Sequence, residues 1–450
     1  MHERALARLK FAEWSSPRDE RLHGRGSRLL AERGAAPSIG LSSVIGEAAN
    51  LRLSRRAIRK AMVGPDQESE DLSGRVRAAL MARDPTLALQ LIERATGSAN
   101  SIALLLDKVS ALRMLGEVSA AIEALDAALA IEPRNFVALL TKGALLEQVG
   151  HRKQAAAVYR AAIGVAPPET SLPAEARALL GKARTLVLAH SEDLAAHLKA
   201  SVADLRGRYA GEDFDRFDES LEIYAGRARA HSQQPLLLNY PRLPAIPFYG
   251  NDDFPWLKRL EAATDAIAEE VRGILRRKLD VFVPYIDYPP GAPVDQWAEL
   301  NHNPKWSTFF LWRDGVRQTE ACALCPRTAA VLGELPLADQ PGFSPTVVFS
   351  VLDARTRIPP HTGSSNIRLI GHLPLILPGP AGFRVGNVTR QWRLGEAWLF
   401  DDTIEHEAWN DADAPRVILI FDVWNPLLTP GERALVAAMM TAKNAFEAAP

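Results

Sequence analysis

Three of the ten histidines, His361, His372 and His406, fall within 46 residues in the C-terminal part of this 450-residue chain. Neutral imidazole is the commonest ligand for transition metals, and two histidines near opposite ends of a barrel sheet can converge on one ion. Any one of them taken alone is as well explained as a satisfied core or surface residue, so the surroundings have to decide. A second pattern, Cys322-x-x-Cys325, has the spacing of zinc knuckles and redox motifs. No second matched pair accompanies it and no βαβ context surrounds it, so two ordinary thiols at a helix start beside Pro326 are expected.

The histidines sit among short apolar runs: 346–353, 367–378, 382–387, 389–394, 396–402, 406–411 and 415–424. Runs of this length, broken by Gly, Pro and Asp turns, predict strands of a jelly-roll type sandwich or barrel. A helix is expected just upstream, from Leu257 to Leu279. Earlier still the chain repeats itself: Lys108 and Lys142, Gly116 and Gly150, Ala121 and Ala155, Ala128 and Ala162, and Pro133 and Pro167 are all 34 residues apart. That period, with Gly143 and the alanines letting antiparallel helices approach and proline ending the second helix, matches the tetratricopeptide pattern. A weaker copy places Ala88 and Ala95 33 residues before Ala121 and Ala128. Helical patterning from Glu175 to Tyr209 caps the array. The proline- and aromatic-rich stretch after Gln234 cannot continue it, which puts a boundary near 210 to 235.

The expected fold is therefore multidomain α + β: a basic, partly disordered leader (1–68), tetratricopeptide-like helical repeats (69–210) and a β barrel domain (235–435). The leader holds thirteen Lys and Arg against six acids in residues 1–60, which suits a solvated segment with one helix near 47–62 better than a nucleic-acid arm. Over the whole chain 53 basic residues nearly cancel 54 acidic ones, so net charge names no partner. The helical repeats offer a concave face for a peptide or protein, or serve as a spacer. The uncharged run between Arg368 and Arg384 contains His372 and several Pro and Gly, so no membrane span is expected. With two cysteines and no apolar signal core at the start, a cytoplasmic setting is the expectation.

The segments "PPHTGSSNIRLIGHLPLILP" and "WRLGEAWLFDDTIEHEAWNDADAPRVILIFDVWNPLLTP", together with "YPRLPAIPFY" and "WSTFFLWRDG", resemble the aspartyl/asparaginyl β-hydroxylase family over roughly residues 235–435. The resemblance implies a double-stranded β-helix, a jelly-roll or cupin-like barrel, that uses Fe(II), 2-oxoglutarate and O2. Position by position it implies His361 and His406 as iron ligands. Oxygenases of the wider class place a carboxylate two residues after the first histidine, but here that position is Gly363, a departure this family shares. Water would take the vacant coordination position. Asp402 suits a carboxylate orienting that water, and equally suits a turn cap.

The same resemblance implies that Arg416 holds the distal carboxylate of 2-oxoglutarate, assisted by Ser350, with His372 near its other end, and that Arg368 faces the substrate. Animal members carry a further arginine two residues after Arg368, where this chain has Ile370. Trp306 either walls the pocket or fills the core. The implied reaction converts 2-oxoglutarate to succinate and CO2 while a β-carbon of an aspartyl or asparaginyl residue in a peptide or protein gains a hydroxyl group. The same chemistry on a lipid acyl chain or small metabolite, or a non-catalytic repeat-based scaffold, stands as the alternative.

Overall fold

A computed structural model describes residues 65–94, 101–277 and 281–448. The predicted helix at 47–62, and with it residues 1–64 of the leader, lies outside the described residues, as does Ala95; residues 65–68, expected to belong to the leader, open the first helix instead. The chain divides into two compact units between Ala228 and Arg229.

The first unit is all helix: α1 (Pro65–Met81), α2 (Pro85–Glu93), α3 (Ile102–Leu115), α4 (Val118–Ile131), α5 (Phe136–Gln148), α6 (Arg152–Gly164), α7 (Ala174–Arg208) and α8 (Asp215–Tyr224). The 34-residue period has a physical counterpart at its glycine and alanine positions. Gly116 and Gly150 both take positive φ (80° and 84°), the left-handed conformation that closes a helix and turns the chain into the next one. Ala121, Ala128, Ala155 and Ala162 are fully buried where α4 and α6 meet their neighbours. Gly143 lies under the Tyr159 ring, so close that a Cβ there would stand 2.4 Å from the ring carbons. The 35-residue α7 adds Ala183 and Leu186 to the cluster around Tyr159 and Leu139, burying the last hairpin's open face.

The second unit packs two antiparallel sheets. Its strands are β1 (Val283–Pro284), β2 (Trp306–Arg313), β3 (Val316–Arg317), β4 (Val347–Leu352), β5 (Thr356–His361), β6 (Arg368–Ile376), β7 (Ala381–Val385), β8 (Val388–Gln391), β9 (Trp398–Phe400), β10 (His406–Asn410) and β11 (Arg416–Trp424). One sheet runs β1-β2-β4-β11-β6-β9 with β3 on β2, and the other runs β5-β10-β7-β8. Alternation along the strands sorts the residues. Leu369, Leu373, Val417, Leu419 and Phe421 join an outer core with helices α9 (Leu257–Ala262), α10 (Thr264–Arg276), α11 (Thr319–Leu324) and α12 (Pro326–Leu332). Ile370, Ile418, Leu352, Phe383 and Phe400 face the space between the sheets. Helix α13 (Pro430–Ala448) follows the last strand.

Two expectations change. The helix expected from Leu257 to Leu279 is broken at Ala263, where the Thr264 hydroxyl donates to the Glu261 carbonyl (2.6 Å) and competes with the backbone ladder. The strand that ends in His361 went unpredicted because its sequence, Thr-Arg-Ile-Pro-Pro-His, carries two prolines; it pairs along one side only, with β10, where missing N–H groups cost least.

Candidate functional site

Strand β5 ends and strand β10 begins at the same rung of one ladder: His361 is the register partner of His406. Their rings lie 4.0 Å apart between centroids. A register shift between His406 and Ala408 breaks the regular pairing there, a bulge of the kind that re-aims a side chain. In both residues Nδ1 donates to the carbonyl two positions earlier, Pro359 for His361 (2.7 Å) and Ile404 for His406 (3.0 Å). A carbonyl only accepts, so Nδ1 carries the proton and Nε2 keeps its lone pair. Burial lowers the His361 pKa to about 4, and burial plus the neighbouring His361 drives His406 down as well. Two neutral imidazoles are thus presented together, which is what a divalent metal requires. Among the described residues no group of three or more His, Cys, Asp or Glu could hold an ion, so the pair stands without a protein carboxylate in reach.

Gly363 has a steric reason. A Cβ there would lie 1.8 Å from Asp402 Oδ2, and the Gly363 amide donates to the Asp402 carbonyl (2.6 Å). Asp402 thus occupies the space that a side chain at position 363 would need. Turn capping falls instead to Asp401, which accepts from the Thr403 amide (3.0 Å) and hydroxyl (2.6 Å). Burial pushes Asp402 up to about 7 against the opposing pull of Arg368. Arg368 donates through Nη1 to Asp422 (2.8 Å) and approaches Asp402 through Nη2 (3.4 Å). Asp422 is a partner the sequence reading missed, although it lies on the same face of β11 as Arg416 by simple alternation.

Arg416 starts β11 with 1% exposure. Its Nη1 makes two long contacts to Ser350, to the carbonyl (3.4 Å) and to Oγ (3.5 Å), its guanidinium lies over the Trp392 ring (4.8 Å), and Nε has no partner. No carboxylate among the described residues pairs with it, and burial alone lowers its pKa to about 9. Ser350 Oγ accepts from Trp306 Nε1 (3.1 Å), so Trp306 both fills the core and orients the site. Its stacking on Tyr285 (4.3 Å) fixes the indole. His372 is buried between Phe383 (5.0 Å) and Phe400 (4.9 Å) with Nδ1 unpartnered, and burial followed by Arg416 keeps it neutral. Trp297, also missed from sequence, packs its ring 4.5 Å from His361.

Register orders these groups along the barrel. On β6 the inward positions are Arg368, Ile370 and His372, facing Trp424, Asp422 and Ile420 of β11. From Asp422 to Arg416 is six residues, about 20 Å of strand. One end of the interior therefore holds Arg416, Ser350 and His372, and the other the Arg368, Asp402 and Asp422 cluster. Cys322 and Cys325 lie apart, buried as free thiols in the outer core, with burial raising Cys325 to about 12.

Residues 264–426 match the family profile described as aspartyl/asparaginyl beta-hydroxylase. The human protein of that name is 32% identical over 187 residues, covering 41% of this chain and 24% of its own length. The ornithine lipid ester-linked acyl 2-hydroxylase of Rhizobium tropici is 33% identical over 201 residues, 44% of this chain and 67% of that protein. Aspartate beta-hydroxylase domain-containing protein 2 of Xenopus tropicalis is 29% identical over 253 residues, 54% of this chain and 65% of that protein. The chain spans about a quarter of the length of the human and mouse β-hydroxylases it matches.

Proposed function

This chain belongs to the aspartyl/asparaginyl β-hydroxylase family, and from that premise we propose that it is an Fe(II)- and 2-oxoglutarate-dependent dioxygenase that hydroxylates a β-carbon of an aspartyl or asparaginyl residue in a peptide or protein. Arg416 carries the proposal. A guanidinium buried without a counter-ion is costly, and a dicarboxylate entering from the histidine side would supply the missing anion. The two long contacts to Ser350 leave donor capacity for that carboxylate, and Ser350, which accepts from Trp306, keeps its own O–H to donate to it. His361 and His406 fit an iron ion through Nε2, and Gly363 leaves the third protein position open. Asp402, packed against Gly363, would orient a water held at that position. When bound, iron and 2-oxoglutarate supply the oxidation: O2 gives one oxygen atom to the substrate and one to the succinate formed as CO2 leaves. His372, kept neutral by burial, would line the cosubstrate's path between Arg416 and the histidine pair, and the aromatic wall of Phe383, Phe400 and Trp392 would exclude water from it.

The helical hairpins recruit the peptide or protein substrate, and the setting is cytoplasmic; among the described residues no helix is long and apolar enough to cross a membrane. The second reading keeps the chemistry and changes the substrate to a lipid acyl chain, favoured by the lipid hydroxylase of which this chain covers 67%. Purified protein with Fe(II) and ascorbate should convert 2-oxoglutarate to succinate and add 16 Da to a peptide rather than to an acyl chain. His406→Ala should abolish both turnover and iron binding. Absence of iron binding in the wild type would overturn the proposal.

A further inference from the structure

We propose that Arg368 and Asp402 together read a carboxamide, so that the site takes an asparaginyl side chain in preference to an aspartyl one. The inference rests on the hydroxylase reading and narrows its substrate. Arg368 is held by two carboxylates, Asp422 at 2.8 Å and Asp402 at 3.4 Å, so its charge is already matched and exceeded. Their side chains keep 12% exposure for Arg368, 8% for Asp402 and 3% for Asp422, so solvent screens the cluster little. A substrate carboxylate arriving here would be the third around one guanidinium, and like charges at this burial repel.

Two atoms of the cluster have no hydrogen-bond partner: Arg368 Nε, which can only donate, and Asp402 Oδ1, which as a carboxylate oxygen accepts. They belong to side chains in direct contact, and Asp402 is pressed against Gly363, two residues from His361. One spare donor and one spare acceptor on two side chains that touch through Nη2 and Oδ2 are the complement of an amide, whose oxygen takes the Arg368 proton while its NH2 group donates to Asp402. A water that occupies this acceptor beforehand is displaced. A carboxylate satisfies only the donor and faces the Asp402 oxygen lone pair to lone pair. The adjacent inward position on β6 offers no charge to compensate, because Ile370 is apolar and 8% exposed.

The test uses the full-length protein loaded anaerobically with Fe(II) and 2-oxoglutarate, so that binding is read without turnover. Two randomised heptapeptide pools, identical except for a central asparagine or aspartate, compete for the protein, and retained peptides are counted by mass spectrometry. Asparagine peptides should be retained at least tenfold over aspartate peptides at pH 8. Asp402→Asn, which replaces the spare acceptor or sets a donor beside it, should shrink or invert that ratio, and Ile370→Arg, which adds a cation one inward position away, should also move it toward aspartate. Either variant decides if the other fails to fold. Equal retention, an aspartate preference, retention of neither pool, or a ratio unmoved in the folded variant overturns the inference. Calorimetric binding of 2-oxoglutarate in the same samples separates the cases: its loss sinks the hydroxylase reading, whereas its persistence without asparagine preference sinks only this one.

Discussion

A single substitution can separate what Arg416 does for binding from what it does for folding. Arg416→Met removes a buried cation that has no carboxylate counter-ion among the described residues, so the ligand-free protein should gain about 1 kcal/mol or more by denaturant unfolding while 2-oxoglutarate binding falls below detection by calorimetry. Gly363→Asp tests the steric account of the open coordination position. Restoring a carboxylate there should not create a three-residue metal site, because Asp402 fills that volume; weaker Mn(II) binding by electron paramagnetic resonance is the expected outcome. The histidines also set a pH dependence. The folded-state pKa of His361 is lowered to about 4, so between the unfolded value near 6.5 and 4 only the unfolded chain takes up the proton. The contribution of His361 to the stability of the metal-free protein should therefore be full above about pH 6.5 and be lost, by on the order of 2–3 kcal/mol, as pH is lowered toward 4, with His406 acting in the same direction; Asp402, raised by burial to about 7, acts in the opposite one, so the contribution is read as the difference between the wild type and His361→Phe. A wild-type-minus-variant difference that stays constant with pH in unfolding titrations would contradict the burial of the His361 ring.

At the scale of elements, the strands carrying Arg416 and His372 were legible because they are short apolar runs bounded by turn residues. The strand carrying His361 was not, because its two prolines mask a partner-dependent edge pairing that only tertiary structure reveals. Asp422 was hidden differently: β11 reads as a nearly continuous apolar run, so alternation puts Arg416 and Asp422 on one face, but only the register against β6 shows that this face is the inward one. His361, His406, Gly363 and Ser350 could be named from motifs, yet the division of labour between Asp401 as turn cap and Asp402 as the group pressed on Gly363 needed coordinates. In the helical unit Gly143 could be seen as a small-residue site, but not the ring that presses on it. Gly143→Ala should destabilise that unit by about 1–3 kcal/mol, since the new methyl group meets the face of Tyr159, which is itself packed between α5 and α7.

For the molecule as a whole, two compact units with separate cores predict calorimetric unfolding in more than one step. Gly143→Ala should lower one transition and leave the other, along with 2-oxoglutarate affinity, unchanged; a single transition that shifts as one would argue against independent cores. The 34-residue period marked small residues at which helices of the first unit meet, and the helix expected from Glu175 to Tyr209 is present, whereas the helix at Asp215–Tyr224 was not foreseen and the helix before the barrel was expected as one piece and is two, because a single threonine hydroxyl outcompetes the backbone at Glu261. The unpaired Arg416 has a last consequence for the protein's lifetime. A fold that stores an uncompensated charge is completed by its ligand, so its resistance to proteolysis should rise with the logarithm of dicarboxylate concentration once the site begins to fill. The abundance of this protein would then follow the supply of its own oxo-acid, without any regulator other than the arginine.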